Sequence, residues 1–327
     1  LIVAAIFTLS TIVSESIYAD DGLPNTPVRT KEQAKNIDIS CEMLYWFTDE
    51  TVDWAFVLSG NNHLLNDYFK TFAFNGAFGF RVGLGYNFIQ DEWDTKINYT
   101  WFHSKANDHT EGGEVNSAFL ATRFSALEPF TSSTADINLH YNIFDWDLGR
   151  SFLTSRHLIL RPSVGIKGGW IIQKINSYCP TTAENGMLAE KLKQTFAGGG
   201  PKGGILAKWC FSNIETNYFS LIGQLEAGYL WGHWSIQDKC TYHTLYVVPR
   251  TINLNTTTRN FGSLVLHSFM GLGWDCNFSN DDNHFAIKLG YELEDWFNQL
   301  QIFTDSSGSQ NNDLILQGLN LSLNFNF

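Results

Sequence analysis

The sequence predicts an all-β protein, a transmembrane antiparallel β-barrel of about ten strands, or twelve if a long connection hides a hairpin. Three observations predict it. Apolar and polar residues alternate with period two in one window after another. The connections between these windows are alternately long and short. Charges and glycines fall on one phase of the windows and leave the other phase greasy.

The 327-residue chain opens with LIVAAIFTLSTIV, its only long apolar run. A helical membrane span needs about 20 residues, so this run is too short. With SIYAD after it, residues 1–19 read as the remainder of a secretory signal peptide, with Ala19 at the cleavage position. Residues 20–36 are expected to form a periplasmic N-terminal segment, and 37–327 the barrel.

The first strand is expected over 37–48, where Ile37, Ile39, Cys41, Met43 and Tyr45 alternate with Asp38, Ser40 and Glu42. In 75–88, Phe78, Phe80, Val82 and Leu84 face away from Gly79, Arg81 and Gly83. In 92–103, Ile97, Tyr99 and Trp101 oppose Lys96, Asn98 and Thr100. In 134–147, Ala135, Ile137, Leu139 and Tyr141 oppose Asp136, Asn138 and His140, and the apolar set is assigned to lipid. Further windows fall at 156–176, 203–212, 219–235, 262–278 and 284–297. LNLSLNFNF closes the series in 313–327, and its final Phe327 resembles the terminal aromatic of an outer-membrane assembly signal.

The long connections are 49–74, 104–133, 177–202, 236–261 and 298–312. The short ones lie near 89–91, 148–155, 213–218 and 279–283. Long loops outside and short turns in the periplasm suit an even-stranded outer-membrane barrel. Within the third long loop, Met187, Leu188, Leu192 and Phe196 have helical spacing, so a short helix is expected at the mouth or on the rim. Tyr45–Trp46–Phe47, Trp101–Phe102, Trp231 with Trp234, and Trp296–Phe297 are expected to form aromatic girdles at the membrane interfaces.

Lys and Arg total 21 against 33 Asp and Glu, a net charge of −12, and no basic block stands out. That composition argues against nucleic acid as a partner. The five cysteines contain no CxxC pair, which argues against zinc and thioredoxin-like chemistry. Cys179 and Cys240 lie in long loops and are the expected disulfide formers, with each other or with another chain. GGGPKGG (198–204) lacks the Ser or Thr of a P-loop and reads as a loop-to-strand turn. No histidine spacing forces a nucleophile–base pair, so neither an enzyme nor a cofactor is expected.

A lysine or arginine on the lipid face near the midplane costs about 2–4 kcal/mol. The charged phase is therefore assigned to the lumen, with Glu42, Arg81, Lys96, Arg161, Lys167, Lys208, Glu226, Lys288 and Glu292 as pore-lining residues. Asp38, Asp94, Asp136 and Asp275 share that phase. Acids in the outer connections, among them Asp49, Glu50 and Asp53, are expected to form an acidic vestibule giving weak cation selectivity.

GFRVGLGYNF with EWDTKINYTWFH, then LRPSVGIKGGWIIQ, FAGGGPKGGILAKWCF and HFAIKLGYELEDWF, resemble the pore-forming major outer membrane proteins of Legionella and the chlamydia-like bacteria. The resemblance implies an abundant porin in the bacterial outer membrane, with disulfide-linked envelope partners. The combined expectation is a passive channel for small hydrophilic solutes and ions, surrounded by outer-membrane lipid. The competing reading is a plugged structural or adhesive barrel. Homo-oligomerisation stays open.

Overall fold

The computed structural model describes residues 37–326 apart from 62–63, 89–91, 120–129, 156, 181–185, 215–216, 244–247, 279–282 and 305–307. The expected signal-peptide and periplasmic segments, residues 1–36, and Phe327 lie outside the described residues.

Ten strands close a barrel. They are β1 (Ile37–Asp49), β4 (Ala77–Asn87), β5 (Trp93–Ser117), β6 (Phe130–Arg150), β8 (Leu158–Pro180), β9 (Met187–Ile214), β10 (Asn217–His243), β11 (Arg250–Phe278), β12 (Asn283–Trp296) and β15 (Leu314–Asn326). Every neighbouring pair is antiparallel, and β1 against β15 joins the ends, with Ile39 opposite Phe325 and Trp46 opposite Gly318. Closure pairs the backbone of every barrel strand, which hydrocarbon requires. Two hairpins, β2 (Asp53–Asn61) with β3 (Leu64–Thr71) and β13 (Ile302–Thr304) with β14 (Gly308–Gln310), belong to outer connections. The short β7 (Phe152–Leu153) pairs with β8 at a turn. The hidden hairpin β2–β3 adds no barrel strand. It hydrogen-bonds to the outer end of β5, with Ala55 opposite Ser117.

The greasy phase faces outward where the sequence says it should. Ile39, Met43, Phe80, Leu84, Ile166, Leu225, Leu289, Leu319 and Phe325 are exposed, while Asn320, Ser322 and Asn324 are buried inside. This belt runs over about ten residues per strand, for example Ile37–Phe47 on β1 and Phe219–Trp231 on β10. At about 3.4 Å per residue and a tilt of about 40°, ten residues cover the roughly 25 Å apolar band.

Several expected loops are strands instead. Residues 104–117, 187–202 and 236–243 continue β5, β9 and β10 beyond the belt, so strands β5 to β11 form a tall outer wall. Their period-two pattern is disguised because the inner face there mixes apolar with polar side chains. The expected helix over 183–196 is strand from Met187 onward. Leu188, Leu192 and Phe196 recur every four residues, a spacing that fits a helix and also one face of a strand. GGGPKGG is likewise mid-strand in β9, not a turn.

Candidate functional site: the barrel interior

Alternation divides each aromatic pair between lipid and lumen. Tyr45, Phe47, Trp101 and Trp231 face out, whereas Trp46, Phe102, Trp234 and Trp296 are fully or almost fully buried inside. Only half of the expected girdle residues therefore meet the interface, because adjacent strand residues point to opposite faces. On β6 the lipid assignment is inverted. Ala135, Ile137, Leu139, Tyr141 and Ile143 are buried inside, and Asp136 lies on the outer face above the belt.

The inward aromatics form a layer across the lumen. Trp46 lies tilted against Phe102 with ring centroids 5.4 Å apart and edge-on to Tyr141 at 6.3 Å. Tyr141 lies 5.9 Å from Trp296, Trp296 5.9 Å from Phe196, and Phe196 4.4 Å from Trp234. Leu44, Leu139, Ile143, Ile171, Leu230, Val265, Leu314 and Leu316 complete the layer. Gly232 makes room for it, since a Cβ there would overlap the Phe196 ring.

Above the layer, two outer connections turn inward rather than the segment 177–202. Gln299, Leu300, Gln301 and Ile302 are buried, as are Val52 and Trp54. A shelf of amides holds them. Gln194 donates to Gln173 (2.7 Å) and to the Gln299 carbonyl (2.9 Å), and Gln301 N–H donates to Gln194 (2.7 Å). Gln173 donates to Glu50 at 2.7 Å. Burial pushes the Glu50 carboxyl, just beyond the end of β1, up to about 8. Glu50 is therefore part of the packed interior and not of an open acidic vestibule.

Below the layer the interior is charged and hollow. A cavity of about 370 Å³ runs from Asp38, Asn87 and Asn326 at the short-turn end up to Glu294, two residues before Trp296. All nine residues assigned to the lumen line it: Glu42, Arg81, Lys96, Arg161, Lys167, Lys208, Glu226, Lys288 and Glu292. Most are paired. Arg81 bridges Glu42 and Glu292, each at 2.7 Å, and His267 lies 2.7 Å from Glu292. Asn320 donates to both carboxylates at 3.0 and 2.6 Å. Arg161 holds Asp147 at 2.8 Å and also pairs with Asp94. Lys167 reaches Glu294 at 2.6 Å, Lys202 reaches Asp145 at 3.1 Å, and Lys208 reaches Asp275 at 2.7 Å. Asp145, Asp147, Lys202, His267 and Glu294 are partners that the sequence reading did not single out. The signal was present in the i, i+2 spacing of Asp145 with Asp147 and of Glu292 with Glu294.

Cys179 and Cys240 are free and buried. They sit on β8 and β10 with β9 between them, opposite Leu188 and Glu190. Two strand spacings of about 4.8 Å exceed the roughly 7 Å Cα limit for a disulfide. The expected bond between them is absent, and their burial also keeps them from another chain. Burial pushes the Cys179 thiol up to about 11 and raises that of Cys240 as well.

A closed ten-stranded barrel with an apolar belt and a charged interior defines a bacterial outer-membrane β-barrel protein. The chain belongs to the Legionella pneumophila major outer membrane protein family, whose model matches residues 30–327. No curated protein matches it. Among solved structures it is similar to the outer membrane protease OmpT from Escherichia coli, at 12% identity and a TM-score of 0.42, over 93% of this chain and 100% of that one. It is also similar to a major outer membrane protein from Thermus thermophilus, at 9% identity and a TM-score of 0.31, over 90% of this chain and 100% of that one.

Proposed function

We propose that this protein is a sealed, structural barrel of the outer membrane. The observation that carries the reading is the aromatic layer, in which Phe102, Trp46, Tyr141, Trp296, Phe196 and Trp234 follow one another ring to ring across the lumen. The amide shelf and the inward connections thicken the seal. Beneath it, buried ion pairs tie non-adjacent strands together. This reading assigns the chain no chemical step and no cofactor. Its partners are outer-membrane lipid around the belt and, through the tall outer wall, whatever meets the cell surface.

A second reading is favoured by the cavity itself. A charged, hollow lumen that reaches the periplasmic end is half of a diffusion path for small hydrophilic solutes and ions. Passive porin activity then requires the aromatic layer to part. Single-channel recording of the purified protein in planar bilayers separates the two. The sealed reading expects a silent barrel at low voltage. Steady ohmic conductance from the unmodified protein would establish the porin instead.

A further inference from the structure

The outer face of the tall wall changes character abruptly above the belt. One row of residues that pair in register across β5, β6, β8, β9 and β10 reads Trp101, Asn142, Trp170, Ala197, His233. Four residues further out along each strand, the corresponding row reads Lys105, Asn138, Lys174, Lys193, Gln237. The next outward-facing row reads Asn107, Asp136, Asn176, Lys191, Lys239. Five exposed lysines thus share one patch of a protein whose net charge is −12.

Their placement is electrostatically unfavourable without a counter-ion. Lys174 stands directly opposite Lys193, and Lys191 directly opposite Lys239. Like charges in facing positions destabilise a sheet. None of the five is in an ion pair among the described residues. The one carboxylate in these rows, Asp136, is occupied, accepting from Asn138 at 3.1 Å and Asn176 at 2.8 Å. The rows begin four residues, about 10 Å along the membrane normal, beyond Trp101 and Trp170, which mark the outer interface of the hydrocarbon. Lysines at that height face the headgroups of the outer leaflet.

We propose that this band binds the phosphate groups of outer-leaflet lipid, which bridge Lys174 to Lys193 and Lys191 to Lys239. The aromatic row beneath seats the acyl chains, and Lys105 closes the patch on β5. An anionic surface holds each nearby lysine with about 1 kcal/mol, or about five-fold in binding.

The test is native mass spectrometry of the delipidated, refolded protein titrated with lipid A, a bis-phosphorylated glycolipid, and with its dephosphorylated form. The unmodified protein should retain the phosphorylated lipid preferentially, and less of it as salt rises. Lys174→Gln with Lys193→Gln should weaken retention about 25-fold, while Lys174→Arg with Lys193→Arg should keep it. Heat-modifiable electrophoretic mobility confirms that each variant is folded before it is compared. Equal retention of the two lipids, or of the phosphorylated lipid by the glutamine variant, would overturn the proposal. So would inorganic phosphate occupying the band as tightly as the lipid does.

Discussion

Tyr141 stands edge-on to Trp296, ring centroids 5.9 Å apart at 87°, although β6 and β12 lie diametrically opposite in the ten-strand ring. Two large side chains meet across the full width of the lumen. The size of the ring explains this. Ten strands spaced about 4.8 Å and tilted about 40° give a backbone diameter of about 20 Å, which facing side chains can bridge. The Tyr141 hydroxyl also donates to Glu294 at 2.9 Å, and Lys167 reaches the same carboxylate at 2.6 Å. The aromatic seal and the ion lattice below it are thus joined through Glu294.

The lattice predicts a marked asymmetry between single and double substitutions. Glu292 is fully buried between Arg81, His267 and Asn320. Glu292→Gln leaves Arg81 short of a charge partner, and breaking such a buried pair costs about 3–5 kcal/mol. Replacing both with apolar residues, Arg81→Met and Glu292→Leu, should cost less, because the fully buried carboxylate and its guanidinium go together, and Glu42, which also loses Arg81, is partly exposed to the cavity and keeps its bond from Asn320. Urea unfolding in lipid vesicles measures both. A double variant as weak as the single one would contradict this account.

Acidity should tighten the outer half through Glu50. Its folded pKa of about 8 lies above its ordinary value near 4.5. The folded state therefore holds a proton that the unfolded chain releases as pH rises. The contribution is full below about pH 4.5 and is lost as pH rises through 8. At about 1.4 kcal/mol per unit, the change over that window is a few kcal/mol. Glu50→Gln should raise the melting temperature at pH 8 and flatten its rise on acidification. A pH slope unchanged in the variant would show that Glu50 is not the group responsible.

The cysteines should behave as inert packing groups. With raised pKa values and no exposure, Cys179 and Cys240 carry little thiolate at neutral pH. Mass-spectrometric footprinting with a thiol reagent should leave both unmodified in the folded barrel and modify both after unfolding. Cys179→Ser with Cys240→Ser should not alter the non-reducing gel pattern. A band lost on that substitution would restore a disulfide role.

Orientation can be checked at two exposed positions. Asn107 lies on the tall wall and Thr154 in a short turn. A cysteine placed at Asn107 should react with an impermeant maleimide on intact cells, and one at Thr154 only after the outer membrane is opened.

Much of the belt was legible because lipid and water impose opposite demands on alternate residues. Leu319, Leu323 and Phe325 against Asn320, Ser322 and Asn324 can satisfy them in only one way. Above the membrane that rule reverses, since water bathes the outside and the interior is packed. The same alternation in Ala135–Tyr141 therefore points its apolar set inward, and the sequence carries no mark of where the reversal happens. The plug was hidden for a related reason. Trp46 and Trp296 look like girdle residues when read beside Tyr45 and Phe297, and only their parity assigns them to the lumen. The lumen charges were legible by phase, but their partners depend on contacts between strands far apart in the chain, such as Arg81 with Glu292.

Opening the seal is the decisive manipulation. Tyr141→Ala with Trp296→Ala removes the two rings that meet at the centre, and Phe196→Ala removes the next contact. Each truncation costs about 3–5 kcal/mol, so the folded fraction must be isolated before recording. If the seal is what blocks passage, the variants should conduct where the unmodified protein does not, in the order double below triple. The exposed path would then run through the charged cavity, whose lining has nine Asp and Glu against seven Lys and Arg. Most of these charges are already paired, so the small acidic excess should give only a weak cation preference. Screening over about 10 Å at 0.1 M salt should reduce it further as salt rises. Reversal potentials in a salt gradient measure the preference. Folded triple variants that stay silent would place the block higher, at the amide shelf of Gln173, Gln194 and Gln299. A strong anion preference would instead single out Lys96 and Lys288, the lining lysines without an ion-pair partner among the described residues, as the narrowest point.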